Sequence, residues 1–286
     1  AERSPTGSGA WVRLFDETTT SMRFALQGSE VTEAEILDAL SSTDPKKRKE
    51  AGHSLSTTLK DHQRLLSLII NTIVKDKQIE DGWRGFDRPV SSRNLANDVD
   101  DNVVDALVEA VNGRNEDLSH RYYTLKAGWM GRKQIDWWDR NAPLPGDNDR
   151  QYSWTDAQEI VLDAFGGFDS DMAEIAKPFF DRNWIDAAPR AGKSSGAFSH
   201  PVVPSAHPYI LMNFAGKSRD VMTLAHEMGH GIHQVLAAEQ GYLMSDTPLT
   251  LAETASVFAE MLAFRRLVDN ESAVSYTHLR AHETAY

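Results

Sequence analysis

Along most of this chain the apolar residues recur every three to four positions, the spacing of one helix face. Ala1–Ala10 is rich in Ser, Gly and Pro and reads as loop. From Val31 the pattern turns helical. Thr32 stands three residues before Glu35, a capping-box pair that opens a helix. Asp44–Pro45 opens the next, with proline in its first turn. That helix or its successor carries Leu59, Leu65, Leu66, Ile69, Ile70 and Ile73 at helical spacing. Asn97–Val111 repeats the pattern through Val99, Val103, Leu107 and Val111, and Asn112–Gly113 stops it. Asp139–Asp149, with two prolines, is a loop. Ser153–Glu159 starts a new helix, and Met172–Trp184 is a further amphipathic segment interrupted by Pro178. Pro189–Pro208 is rich in Gly, Ser and Pro, and Tyr209–Phe214 is the best strand candidate: short, apolar and bounded by Pro and Gly. Two long helices follow, over about 218–238 and about 249–268. The pattern predicts a mainly α protein with a small β-sheet and no internal repeat.

Composition narrows the class. With 286 residues and a 41% apolar share, the chain can bury a core of one large domain or two modest ones. Its 30 Lys+Arg against 42 Asp+Glu give a net charge of −12. That balance argues against a nucleic-acid partner, which needs a basic face, and suits a soluble protein better than a membrane-surface one. The absence of cysteine excludes disulfides, thiolate metal sites and a cysteine nucleophile, and fits the cytoplasm. Apolar runs such as Leu65–Ile70 are far too short to span a bilayer. No signal pattern stands at the N-terminus, although the chain begins with Ala. Val274–Thr284 (VSYTHLRAHET) resembles a translated sequencing-library adapter, so residues 274–286 are set aside as a non-native tail. His278, His282 and Glu283 then carry no function, although HLRAH imitates a metal pair.

The chemistry concentrates at Thr223-Leu224-Ala225-His226-Glu227-Met228-Gly229-His230, an HExxH motif. Residues four apart share a helix face, so His226 and His230 can present two imidazole nitrogens to one metal ion. Glu227 is rotated about 100° from His226 and borders that ion without having to bind it, where a general base for an attacking water should sit. With ten histidines in the chain, the motif arises by chance in roughly a few per cent of such sequences. Its flanks sharpen it: Val221, Met222, Leu224, Ala225, Met228, Ile232, Val235 and Leu236 make a buried helix. Two His and a Glu in such a helix are costly unless paired or coordinated.

A catalytic zinc site takes three protein ligands and leaves one position open. Glu253 lies in the following apolar helix, which can pack antiparallel after the reversal marked by Gly241 and Pro248. It would complete a two-His, one-Glu set. Glu260, seven residues on, shares nearly the same face; it is read as the partner that orients a ligand histidine, with a solvated acid as the alternative. His233 is read as packing or supporting the site, and His200 and His207 as satisfied loop histidines that could also meet substrate. Zinc suits this set best, with manganese or cobalt as possible substitutes.

The run TLAHEMGHGIHQVLA followed by TPLTLAETASVFAE resembles the oligoendopeptidase F branch of the M3 (thimet oligopeptidase-like) zinc peptidases. The stretch from Ala188 to Val221, RYYTLKA (Arg121–Ala127) and WIDAAPR (Trp184–Arg190) look like the same family, and the resemblance covers most of residues 11–273. It implies a multi-helical fold around a deep channel, with a small sheet beside the active-site helix. His226, His230 and Glu253 would hold one zinc per chain and Glu227 would be the catalytic base. Residues 209–214 would be the sheet edge along which an extended peptide adds as a strand. The resemblance further implies oligopeptide substrates, endopeptidase activity and a cytoplasmic location. Residues 1–75 would end an N-terminal helical region, and 76–273 would be part of a catalytic domain. Family members run to about twice this length, far above a single-domain norm. The His and Tyr residues that bind substrate in the family would lie beyond Glu260. A metal-binding part without turnover, and an aminopeptidase on a similar site, stand as alternatives.

Overall fold

The computed structural model describes residues 6–144 and 150–269. They divide into two compact units: 6–144 with 190–194, and 150–189 with 195–269. The tail set aside above, 274–286, lies outside the described residues.

The first unit is helical apart from one hairpin. Helix α1 (Ser8–Ser21) leads to strands β1 (Phe24–Leu26) and β2 (Ser29–Val31), which pair antiparallel. Gln27 and Gly28 between them both have positive φ (51° and 79°), the conformation that matches a tight turn to the twist of its strands. Helix α1 begins inside the segment expected to be loop, and the hairpin was not foreseen. Its strands have three residues each, too short for a period-two pattern. Helix α2 (Glu33–Ala39) starts at the expected reciprocal cap, where Glu35 N–H donates to Thr32 Oγ1 and Thr32 N–H to Glu35. Helix α3 (Pro45–Asp61) is capped by Asp44. Helix α4 (Gln63–Arg84) ends at Gly85, whose φ of 70° suits a left-handed C-terminal cap. Then come α5 (Ser91–Ala96), α6 (Asp101–Asn112) and α7 (Arg121–Trp129). Helix α6 starts four residues later than the apolar spacing predicts, after Asp98 turns the backbone at φ 51°. The core gathers Met22, Phe24, Leu26, Ile36, Ala39, Leu40 and Ala51. Beside it the buried pair Arg48–Asp139 closes at 2.9 Å.

The second unit holds α8 (Trp154–Phe168), α9 (Ser170–Asp181), a three-stranded sheet, α10 (Ser218–Ala237) and α11 (Leu249–Asp269). The long helices fall within one residue of their predicted ends. Helix α9 runs through Pro178 and stops at Asp181, followed by Asn183 at φ 57°. The sheet order is β3 (Ile185–Asp186), β5 (Tyr209–Leu211), β4 (Phe198–His200). Residues 209–214 are therefore the sheet's centre and not its edge. Ile210, Met212 and Phe214 donate to the carbonyls of Trp184, Asp186 and Ala187 on one side. On the other side Tyr209, Ile210 and Leu211 pair antiparallel with His200, Ser199 and Phe198. Ile210 and Met212 are fully buried, as a central strand requires. The edge beside α10 is β4, inside a stretch whose Gly, Ser and Pro had suggested loop alone.

Candidate metal centre

Helix α10 starts where Asp220 accepts hydrogen bonds from the backbone of Ala215 and Lys217, both at 2.9 Å. It buries Val221, Met222, Leu224, Ala225, Met228 and Ile232 against α8, α9 and the sheet. Helix α11 buries Ser256, Ala259, Glu260, Ala263, Phe264 and Leu267, a three-to-four-residue stripe. The two helices run antiparallel, because His226 meets Glu260 while His230 meets Glu253. Gly229 sets how close they come. A Cβ there would lie 2.6 Å from the Ala255 carbonyl oxygen and 2.8 Å from Ala259 Cβ, so only glycine fits the crossing.

That crossing brings three predicted residues together. His226 Nε2 lies 3.3 Å from Glu253 Oε2, and His230 Nε2 lies 3.6 Å from the same oxygen. One ligand atom from each of the three residues falls within 4.8 Å of the others. Two atoms bound to one ion at 2.0–2.1 Å in tetrahedral geometry stand about 3.4 Å apart, so the spacing fits a zinc-sized ion. The donor set, two imidazoles and a carboxylate, fits the chemistry as well.

Neighbours hold these three side chains in place. His226 Nδ1 lies 3.1 Å from Glu260 Oε2, which leaves Nε2 facing Glu253. Ser256 Oγ donates to Glu253 Oε2 at 2.7 Å. The Glu260 bond pulls the His226 pKa up against the effect of burial, whereas burial pushes that of His230 down. Glu227 is buried, and burial raises its carboxyl to about 7. The nearby His226 and a backbone hydrogen bond from Ser199 pull the other way. Among the described residues its Oε2 has no hydrogen-bond partner. A buried carboxylate with an orphaned oxygen beside such a cluster is a candidate proton acceptor.

Three contributors, Ser256, Ser199 and Gln234, escaped the sequence reading. Gln234, one turn beyond His230, donates through Nε2 to the Ser199 carbonyl at 3.2 Å, and its Oε1 accepts from Ser199 Oγ at 2.8 Å. This pair of hydrogen bonds ties β4 to α10 beside Glu227. Only the four-residue spacing of Gln234 from His230 could have hinted at it. His233 is half-buried on α10 and stands outside the three-residue cluster. His200 accepts from Val202 N–H at 3.0 Å, and His207 stacks on Trp184 with ring centres 3.8 Å apart.

A mostly helical fold carrying a two-histidine, one-glutamate cluster on paired helices places the chain in the metallopeptidase-like class. The description "Peptidase family M3" matches residues 39–285. The chain belongs to peptidase family M3, in its oligoendopeptidase F branch. It is 29% identical over 222 residues to the chromosomal oligoendopeptidase F of Lactococcus lactis subsp. cremoris, covering 77% of this chain and 36% of that protein. To the oligopeptidase PepF of Bacillus subtilis (strain 168) it is 24% identical over 242 residues, covering 84% and 36% respectively. The chain thus spans little more than a third of the length of these relatives. Among solved structures, PZ peptidase A with an inhibitor superposes with a TM-score of 0.81 at 19% identity, over 91% of this chain and 47% of that one. The oligoendopeptidase-F of Enterococcus faecium superposes with a TM-score of 0.56 at 18% identity, over 94% and 42%. These structures share the fold. No helix among the described residues is long and apolar enough to cross a membrane.

Proposed function

We propose that the chain is the zinc-binding part of a metalloendopeptidase that hydrolyses peptide bonds within oligopeptides. The observation that carries this is the convergence of His226, His230 and Glu253 within 4.8 Å, with the buried Glu227 on the adjoining helical position. His226, His230 and Glu253 would hold one zinc ion, which when bound supplies Lewis-acid polarisation of the scissile carbonyl. Glu227 takes the proton of the attacking water and passes it to the leaving amine. Glu260 keeps the His226 ring turned toward the site, and Ser256 fixes the Glu253 carboxylate. Strand β4, tied down through Gln234, presents the sheet edge along which an extended peptide would lie. The family likeness supports oligopeptide substrates; a cytoplasmic setting and a division of the chain into 1–75 and 76–273 belong to the same reading.

The test is the metal content of the purified chain by plasma mass spectrometry, with His230→Ala as control, followed by peptide cleavage with and without chelator. About one zinc per chain, lost in the control, with chelator-sensitive cleavage, is the expected result. Zinc without cleavage would leave a metal-holding part that needs further groups for turnover, in keeping with its coverage of only 36% of its relatives. Cleavage abolished by blocking the substrate N-terminus would make it an aminopeptidase. Absence of zinc would sink the proposal.

A further inference from the structure

Beyond the metal centre, toward the C-terminal end of α10, the second unit contains a cavity of about 790 Å³. Its walls are unlike those of the metal site. Trp184 and His207, stacked at 3.8 Å and nearly coplanar at 4°, stand on one side. The segment 201–208, which carries His207, adds the apolar side chains of Val202, Val203 and three prolines to the lining. The charged lining is one residue of each sign, Arg182 and Asp246, with Arg182 lying 5.7 Å over the Trp184 ring. A cavity with balanced charge, an aromatic wall and a proline-rich wall suits a neutral ring better than a charged side chain.

The segment's shape is held locally. Val202 sits at φ 62°, a left-handed conformation that a β-branched residue rarely adopts, and its N–H is bonded to His200 Nδ1 at 3.0 Å. That turn directs the chain from β4 into the cavity wall. Gln234 belongs to both places: it binds Ser199 of β4 and lines the cavity. From His230 to Gln234 is about 6 Å along the helix, and to Ala238, the last α10-side residue of the lining, about 12 Å. An extended peptide at about 3.3 Å per residue covers that distance in about two to four residues.

We infer that this cavity is a specificity site for the oligopeptide itself, taking an aromatic side chain about two to four residues from the bond at the metal centre. This rests on the peptidase reading above. Its continuity with β4 is what selects a peptide occupant: a chain laid along that edge is led into the cavity by the same strand.

The experiment measures binding, so that it does not depend on turnover. Short acetylated Gly–Ser peptide amides, each with one Phe at a different position, are titrated into the 286-residue chain carrying Glu227→Gln, and dissociation constants are obtained by calorimetry. The expected result is about tenfold tighter binding for Phe at one position over Gly there, with Asp no better than Gly. Val203→Asp, at a half-exposed wall position, should erase that preference while metal content is unchanged. His207→Ala, which removes half of the stacked pair, should weaken it. The inference is overturned if no peptide binds, if Phe confers no positional advantage, or if both variants keep the preference. Metal content and cleavage by the unaltered chain judge the peptidase reading separately. A chain that cleaves with no aromatic preference loses only this site, and one that binds Phe selectively but never cleaves loses only the catalytic reading.

Discussion

Single residues around the metal centre divide into those that would touch an ion and those that hold the first group still. The second kind yields the sharper predictions. Glu260→Ala and Ser256→Ala each remove one orienting contact, at 3.1 Å and 2.7 Å, and leave the three candidate ligands in place. Each should weaken zinc about 10–100-fold, measured by competition with a chromophoric chelator. Glu227→Gln should keep zinc and lose cleavage; turnover retained in that variant would remove Glu227 from its role. Lys126 makes a prediction far from the site. It is buried, donates to the Arg140 carbonyl at 2.7 Å, and burial lowers its pKa to about 8. Its folded pKa lies below the unfolded value, so the folded state binds fewer protons between about pH 8 and 10.5 and stability should rise across that window. The slope is at most about 1.4 kcal/mol per pH unit, and Lys126→Met should lack it in urea unfolding. Of these residues, His226, Glu227 and His230 were legible as a motif and Glu253 and Glu260 as acids in an apolar helix. Lys126, Ser256 and Gln234 were not, because nothing in a linear pattern reveals which polar side chain a fold will bury.

At the scale of elements, the site is a helix pair with one close crossing, and Gly229 permits it. A methyl group at Gly229 meets the α11 backbone at 2.6 Å, so Gly229→Ala should push the helices apart and destabilise the protein by about 1–3 kcal/mol. Zinc affinity should fall with it, since the candidate ligands sit on both helices; thermal unfolding and metal titration together check this. Unfolding unchanged by the substitution would show that the crossing is looser than described. The sheet shows where linear reading fails. Tyr209–Phe214 was recognised by its apolar run, yet its place between β3 and β4 depends on two short segments, Ile185–Asp186 and Phe198–His200, with no pattern of their own. Edge and centre are properties of pairing, and pairing is not local. Helix α6 shows the converse: its apolar stripe is plain in the sequence, yet Val103, Leu107 and Val111 are all exposed within their own unit.

At the scale of the molecule, the three candidate ligands lie on two helices of one compact unit, and the other unit supplies none of them. Metal should therefore stabilise the molecule unevenly. At a free zinc concentration 100-fold above the dissociation constant the linkage amounts to about 2.7 kcal/mol. Hydrogen exchange should show that protection gained in α10 and α11, and little change in the hairpin and α3 of the first unit. Equal gains in both units would contradict a site confined to one. What the sequence by itself determined was the helical class, the capped starts of α2, α3 and α8, the long helices α10 and α11, and the identity of the metal-binding candidates. These rest on spacing within one helix, which a chain encodes locally. What only the tertiary structure decided was the approach of Glu253 to the two histidines, the place of β4 as the edge, the tie from Gln234 to Ser199, and the cavity behind Trp184. Each depends on groups distant in sequence meeting at one distance, and that distance is set by packing of the whole unit.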